Sequence, residues 1–190
     1  QHSPFGIAFN EAQRLAIQAD PTFLQNEYSG GRNGLIAARS IGMLSYRSYE
    51  GYGITQAETT NDKSDDFKAA SYQRYQGEKL ANRFNAYSYW TLSKAMDSQN
   101  LARHRKPADQ LLSEIAIPAL VVGIDSDLLF PISEQEFIAK HLPNARLVTL
   151  SSRFGHDGFL VEYDQLTAAI APFLANTFST QSFQHELINN

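Results

Sequence analysis

Two short stretches carry side chains that could move a proton together. GIDSDLLFP, at 123–131, holds Asp125 and Asp127, and SSRFGHDGFL, at 151–160, holds His156 and Asp157. Imidazole titrates near neutral pH, so His156 could take a proton from a hydroxyl and later return it. A carboxylate bonded to the other ring nitrogen would fix the tautomer and stabilise the cation that forms. Taken singly, an aspartate after a strand is often a turn former and a lone histidine often structural. The combination is more specific: Asp127 precedes His156 by 29 positions, and each follows an apolar run.

Those runs must place the two loops side by side. IPALVVGI (117–124) is continuous and β-branched, as a parallel strand covered on both faces would be, and ARLVTLSS (145–152) reads as a second strand. Between them SEQEFIAKHL (133–142) reads as a helix opened by a capping box of Ser133 and Glu136. After them FLVEYDQLTAAIAPFL (159–174) reads as a last helix with Phe159, Tyr163, Leu166, Ile170 and Phe173 along one stripe. Strand, helix, strand, helix is a βαβ unit and demands a parallel sheet. Loops at the carboxyl ends of such strands open onto one crevice, where an acid and a base can meet. Acid before base is also the order in the α/β-hydrolase fold, whose serine nucleophile comes earlier still. Two strands are few for a sheet buried on both faces, so its beginning is expected to lie outside this chain.

The nucleophile is expected there too. A nucleophile elbow is Gly-x-Ser-x-Gly between strand and helix, and none occurs. ARSIG around Ser40 and EYSGG around Ser29 imitate it, but neither follows an apolar strand and Arg39 and Tyr28 are bulky neighbours.

The preceding hundred residues read as helical. IAFNEAQRLAIQADP puts Ala8, Ala12, Leu15 and Ala16 on one face and stops at Asp20-Pro21. GLIAARSIGMLSYR (34–47) is a second amphipathic helix, GYGITQAETTNDKSDD (51–66) a surface loop, and 67–100 one long or two consecutive helices. This last region has an aromatic face of Tyr72, Tyr75, Phe84, Tyr87, Tyr89 and Trp90, suited to a core or to a twin subunit.

Composition excludes several alternatives. With no cysteine, thiol nucleophiles, disulfides and thiolate zinc sites are ruled out, and the five histidines show no metal spacing, so no metal is expected. Net charge is −4 without a Lys/Arg run, which argues against nucleic acid. No apolar stretch is long enough to span a bilayer and no leader is visible at the N-terminus, so a cytoplasmic location is the expectation. The chain opens on Gln1, as a processed or partial product would.

IAFNEAQRLAIQADPTF, GLIAARSIGMLSYRS, YQGEKLANRFNAYSYWTLSKAMD, DSDLLFP and GHDGFL together resemble the C-terminal half of the homoserine O-acyltransferases, the homoserine O-acetyltransferase family. The resemblance runs from about residue 5 to 173. It implies an α/β fold, the C-terminal part of an α/β-hydrolase fold with a helical lid inserted before the last two parallel strands. Residues 1–106 would form the lid and dimerisation region, 107–175 the last strand-helix-strand-helix of the core, and 176–190 a tail. It implies transfer of an acyl group from acetyl-CoA or succinyl-CoA to the hydroxyl of L-homoserine, in methionine biosynthesis, by a homodimer needing no cofactor beyond the acyl-CoA co-substrate. Asp127 would be the triad acid and His156 the base, with serine lying in the absent half. Arg39, Asp157 and Tyr46 would hold the amino acid, Arg39 by a two-point bond to its carboxylate. Against this, Arg39 could be a surface ion-pair arginine and Asp157 a cap of the final helix. One departure is Asn85, where the family often has aspartate. Two other functions fit: an α/β-hydrolase-type esterase, which would not need Arg39, and a non-catalytic dimerisation fragment.

Overall fold

In the computed structural model, residues 2–25 and 27–188 are described, with side chains as far as Thr177. The expected tail, 176–190, therefore lies almost wholly outside the described side chains. The chain forms two compact units, Gln1–Arg103 and His104–Asn190.

The first unit is helical. Helix α1 (Pro4–Gln18) begins where Ser3 Oγ accepts the Gly6 N–H at 3.1 Å, with Pro4 in the first turn, where its missing donor costs nothing. It ends ahead of Asp20-Pro21, as expected, and Asp20 then serves the next helix. α2 (Arg32–Tyr46) follows Gly31, which has no side chain to cap it. Asp20 supplies the missing acceptor from a distance: Oδ2 takes the Gly34 N–H at 3.0 Å, and Oδ1 takes the Thr22 N–H and hydroxyl at 2.9 and 2.7 Å. Gly34 also lets α1 and α2 touch, since a Cβ there would lie 2.6 Å from Ile17 Cα.

Around this contact Ile17, Leu35, Ala38, Leu80 and Ala86 form the core, with Phe23, Phe84, Tyr89 and Trp90 packed against it. Full burial of Ile17 or Leu35 contributes roughly 2 kcal/mol each. Residues 67–100 resolve into two helices, α4 (Lys68–Ala81) and α5 (Ala86–Ser98). Asn85 caps α5 by accepting the Ser88 N–H at 2.8 Å, a task that asparagine performs as well as aspartate. Most of the aromatic face packs inward: Tyr87 stacks on Phe23 with ring centroids 4.8 Å apart, whereas Tyr75 is exposed.

Two expectations for this unit are corrected. The face of α1 formed by Ala8, Ala12, Leu15 and Ala16 is not its buried one; Gly6, Gln13, Arg14 and Ile17 are buried, and Leu15 is 57% exposed. The polar pair is tolerated inside because its hydrogen bonds are made. Arg14 reaches Glu11 and Asp97, each at 2.6 Å, and Ser93 at 3.1 Å, while the Gln13 amide bonds Phe9 O and Tyr89. Residues 51–66 are not loop throughout, because helix α3 spans Tyr49–Gln56. Ser48 Oγ accepts the Gly51 N–H at 2.9 Å, a cap strong enough to start a helix in a glycine-rich stretch.

The second unit holds α6 (Ala108–Ser113), β1 (Ala119–Ile124), α7 (Ile132–His141), β2 (Ala145–Leu150), a 3-10 turn at Gly155–Leu160, and α8 (Tyr163–Ile188). β1 and β2 pair in parallel from Ala119↔Ala145 to Ile124↔Leu150, the expected βαβ arrangement. β1 starts after Pro118, which has no N–H for the ladder. The capping box of Ser133 and Glu136 does not form. α7 is entered from Pro131, whose φ of −62° and ψ of 152° already aim the chain, so Ser133 lies inside the helix and not at its cap. The last helix begins at Tyr163, later than expected, because 155–160 are taken up by the 3-10 turn. No helix among the described residues is long and apolar enough to cross a membrane.

Asp20 and Arg14 give direct tests of this packing. The Thr22 hydroxyl, aided by backbone N–H groups, holds the Asp20 carboxyl below the ordinary carboxylate range. A carboxyl lowered in the folded state adds stability that is complete above its unfolded pKa of about 3.9 and is lost as pH falls through the folded value. Asp20→Ala is expected to cost about 1 kcal/mol at neutral pH in urea unfolding, and to remove part of the wild type's loss of stability below about pH 4. Asp97→Ala strips an anion from a guanidinium that is only 4% exposed, and is expected to cost about 3 kcal/mol in the same measurement.

Candidate active site

The register that sets Ile124 opposite Leu150 makes both strands end at one level, so their following loops start side by side. The Asp125 N–H still bonds Leu150 O at 3.1 Å, after which the first loop turns sharply, with the Asp127 N–H on Ile124 O at 3.2 Å. Asp127 is thereby driven inward and is 7% exposed. Its Oδ1 accepts the N–H groups of Leu129 and Phe130 at 2.8 and 2.9 Å. Its Oδ2 lies 2.8 Å from His156 Nδ1. An ionised carboxylate only accepts, so in this pair Nδ1 is the donor.

The second loop presents the ring from a 3-10 turn that opens at Gly155, where φ is +66°, a value that side chains resist. The imidazole is half-buried between Phe130 and Phe159, whose centroids lie 5.3 and 5.5 Å from its own. A cavity of about 270 Å3 opens beside it, walled by Val122, Ile124, Phe130, Phe159 and Leu166. The setting is an oriented imidazole with apolar walls, able to act on a hydroxyl brought to Nε2.

Asp157 follows His156 directly and is half-buried in the 3-10 turn. It stands six residues ahead of Tyr163, where α8 begins, so capping that helix is not its role. Arg39 and Tyr46 lie in the first unit, two turns apart on α2, with the guanidinium carbon 5.2 Å from the Tyr46 ring centroid. Tyr89 from α5 stands with them and donates its hydroxyl to Gln13 Oε1. Burial pushes the Tyr89 pKa far up; neighbouring Tyr46 adds to the shift and the Arg39 cation opposes it, so Tyr89 is a neutral donor. The imitation elbow at Ser40 is spent within the fold, its hydroxyl bonding Ile36 O and Gln73 O at 3.1 and 3.2 Å.

Several contributors went unread in the sequence. Asp125 Oδ1 accepts the Ser152 N–H at 3.1 Å and Ser126 Oγ the Gly155 N–H at 3.0 Å, so three consecutive residues grip the second loop. Phe130 and Phe159 as ring walls, and Gln13 and Tyr89 beside Arg39, were also missed. Closeness in sequence to Asp127 and His156 was the signal for Asp125, Ser126 and the two phenylalanines; Gln13 and Tyr89 had none.

This architecture is the C-terminal part of the α/β-hydrolase fold, shared with an α/β hydrolase enzyme from a Medee basin deep-sea metagenome at a TM-score of 0.59 and 18% identity, over 91% of this chain and 52% of that one. The acetyl esterase MekB superposes at 0.75 with 22% identity, covering 92% and 52%. The chain is a homologue of the homoserine O-acetyltransferases over nine-tenths of its length. The enzyme of that name from Cyclobacterium marinum is 49% identical over 171 residues, 90% of this chain and 48% of that protein. That from Salinibacter ruber is 40% identical over 185 residues, 95% and 53%. The crystal structure of the Staphylococcus aureus homoserine O-acetyltransferase matches at a TM-score of 0.72 and 29% identity, covering 92% and 48%. The chain thus spans about half the length of the curated relatives it matches. No family model matches it.

Gly155→Ala tests the turn that presents His156. Holding an alanine at a φ of +66° is expected to cost roughly 1–2 kcal/mol in thermal or urea unfolding.

Proposed function

We propose that this chain is the C-terminal half of an acyltransferase that moves an acetyl group from acetyl-CoA to the hydroxyl of L-homoserine, a step of methionine biosynthesis. The observation that carries the proposal is the 2.8 Å bond from His156 Nδ1 to the buried Asp127 carboxylate, in a chain 49% identical to a homoserine O-acetyltransferase. In this reading a serine hydroxyl comes from the remaining half of the protein. His156 Nε2 takes the serine proton as Oγ attacks the thioester carbonyl, and returns it to the departing CoA sulfur. The homoserine hydroxyl then gives its proton to Nε2 while its oxygen attacks the acyl-enzyme, and serine Oγ leaves with that proton. Asp127 holds the ring and balances the imidazolium in both halves of the cycle.

Arg39 binds the homoserine carboxylate, its guanidinium kept oriented by the Tyr46 ring, and Asp157 binds the ammonium. The enzyme works as a homodimer through its helical lid, residues 1–106. Hydrolysis is the second reading, favoured by the likeness to the acetyl esterase MekB; a clamp for an amino-acid carboxylate has no use in that reaction.

The protein extended to its relatives' full length is expected to release about one equivalent of CoA thiol without L-homoserine and to turn over continuously only with it, followed by thiol release and by mass of the product. His156→Ala should lower kcat by about a thousandfold or more. Arg39→Lys should raise the KM for homoserine roughly 10- to 100-fold. Continuous thiol release without homoserine, with Arg39→Lys silent, would establish an esterase instead.

A further inference from the structure

We infer that Ser126 is a positioning residue for His156, holding the backbone pivot from which the imidazole projects; this rests on the reading of His156 as the base. Asp125, Ser126 and Asp127 each engage a different point of the second loop: the N–H of Ser152, the N–H of Gly155 and the imidazole of His156, at 3.1, 3.0 and 2.8 Å. Their tasks differ. Asp125 is exposed and ties down only the start of the loop, where Ser152 Oγ adds a local bond to the Phe154 N–H at 3.1 Å. Asp127 binds the ring itself. Ser126 binds the peptide immediately before the histidine.

Gly155 makes that bond consequential. Its φ of +66° is cheap for glycine, but so are many other values, and a pivot that turns freely cannot aim a side chain. Phe130 and Phe159 limit the tilt of the ring once it is in place, without fixing where its Cα stands. Gly155 is buried, so its N–H needs an acceptor, and Ser126 Oγ provides one from the neighbouring loop. With an alanine at 126, the peptide would escape its lost bond by rotating about Gly155. His156 is the next residue and would move with it, away from Asp127 Oδ2.

The test uses the 190-residue chain labelled with 15N-histidine. The proton on His156 Nδ1, bonded to a carboxylate, is expected as a downfield resonance in the wild type and to disappear in Asp127→Asn. Ser126→Ala is expected to speed solvent exchange of this proton and of the Gly155 amide roughly tenfold. Ser126→Thr, which keeps the acceptor, should restore both, and Asp125→Asn should leave the imidazole proton unchanged. Unchanged exchange in Ser126→Ala overturns the proposal, as does equal loss in Asp125→Asn, which would make Ser126 one of several general loop ties. Should Ser126→Ala not fold, the contrast between Ser126→Thr and Ser126→Cys, a far weaker acceptor of similar size, decides in the same way. A resonance indifferent to Asp127→Asn would instead overturn the acid–base pair. In the extended protein Ser126→Ala should lower kcat about tenfold at an unchanged KM for homoserine, and an unaltered kcat would again overturn the proposal.

Discussion

A carboxylate that is 7% exposed must have its lone pairs used, and the chemistry of the second unit follows from how Asp127 uses them. Two backbone N–H groups two and three residues on occupy Oδ1, which turns the loop into a small anion-binding nest and delivers the chain to Pro131 aimed for α7. Oδ2 is left for one partner from outside the loop. The parallel register brings the second loop to the same level, and His156 is the donor that it offers. Loop shape, helix entry and imidazole orientation are thus consequences of satisfying one buried charge.

The first unit solves the same problem with different groups. Its helices are joined by apolar contacts around Ile17 and Leu35, but also by ionised groups that have left water. Arg14 on α1 reaches Asp97 and Ser93 on α5, and Asp20 closes the amino end of α2. Burying a charge is unfavourable unless each hydrogen bond is replaced, so these contacts are specific in a way that apolar ones are not. A helix slipped by one turn would leave Arg14 or Asp20 without partners, whereas Ile17 would find other methyl groups. In the same region the Arg39 guanidinium lies over the Tyr46 ring, close to the buried Tyr89 hydroxyl.

Much of this was legible because it rests on local patterns. The two apolar runs, the helix between them and the acid-before-base order were enough to anticipate a parallel pair with Asp127 and His156 at its carboxyl end. What escaped depends on contacts distant in sequence. Arg14 reads as a surface residue until Asp97, 83 positions later, is known to lie against it, and so the wrong face of α1 was expected to be buried. Helix α3 was hidden because glycine at 51 and 53 argues against a helix, and the Ser48 cap outweighs them. Ser133 and Glu136 have the spacing of a capping box, but the turn built by Asp127 sets the helix start upstream of them. Ser126 went unread because a serine in a loop has no distinguishing pattern until its partner peptide is known.

The bonds of Ser126 and Asp127 to the second loop lie within one strand-helix-strand unit and its two loops. An imidazole held by such local bonds is set by the same segment that carries it, and does not wait for a substrate or a nucleophile to order it. Prior ordering matters energetically, because a base that must first be arrested in the right rotamer adds that entropy to the barrier. The proposed acyl transfer would further need a hydroxyl and donors for the carbonyl oxygen, and neither contributes to the bond between His156 and Asp127. In the proposed acyl transfer, division of the chemistry would follow the division of the fold: the last two parallel strands would organise proton transfer, and charge development at the carbonyl would fall to other elements.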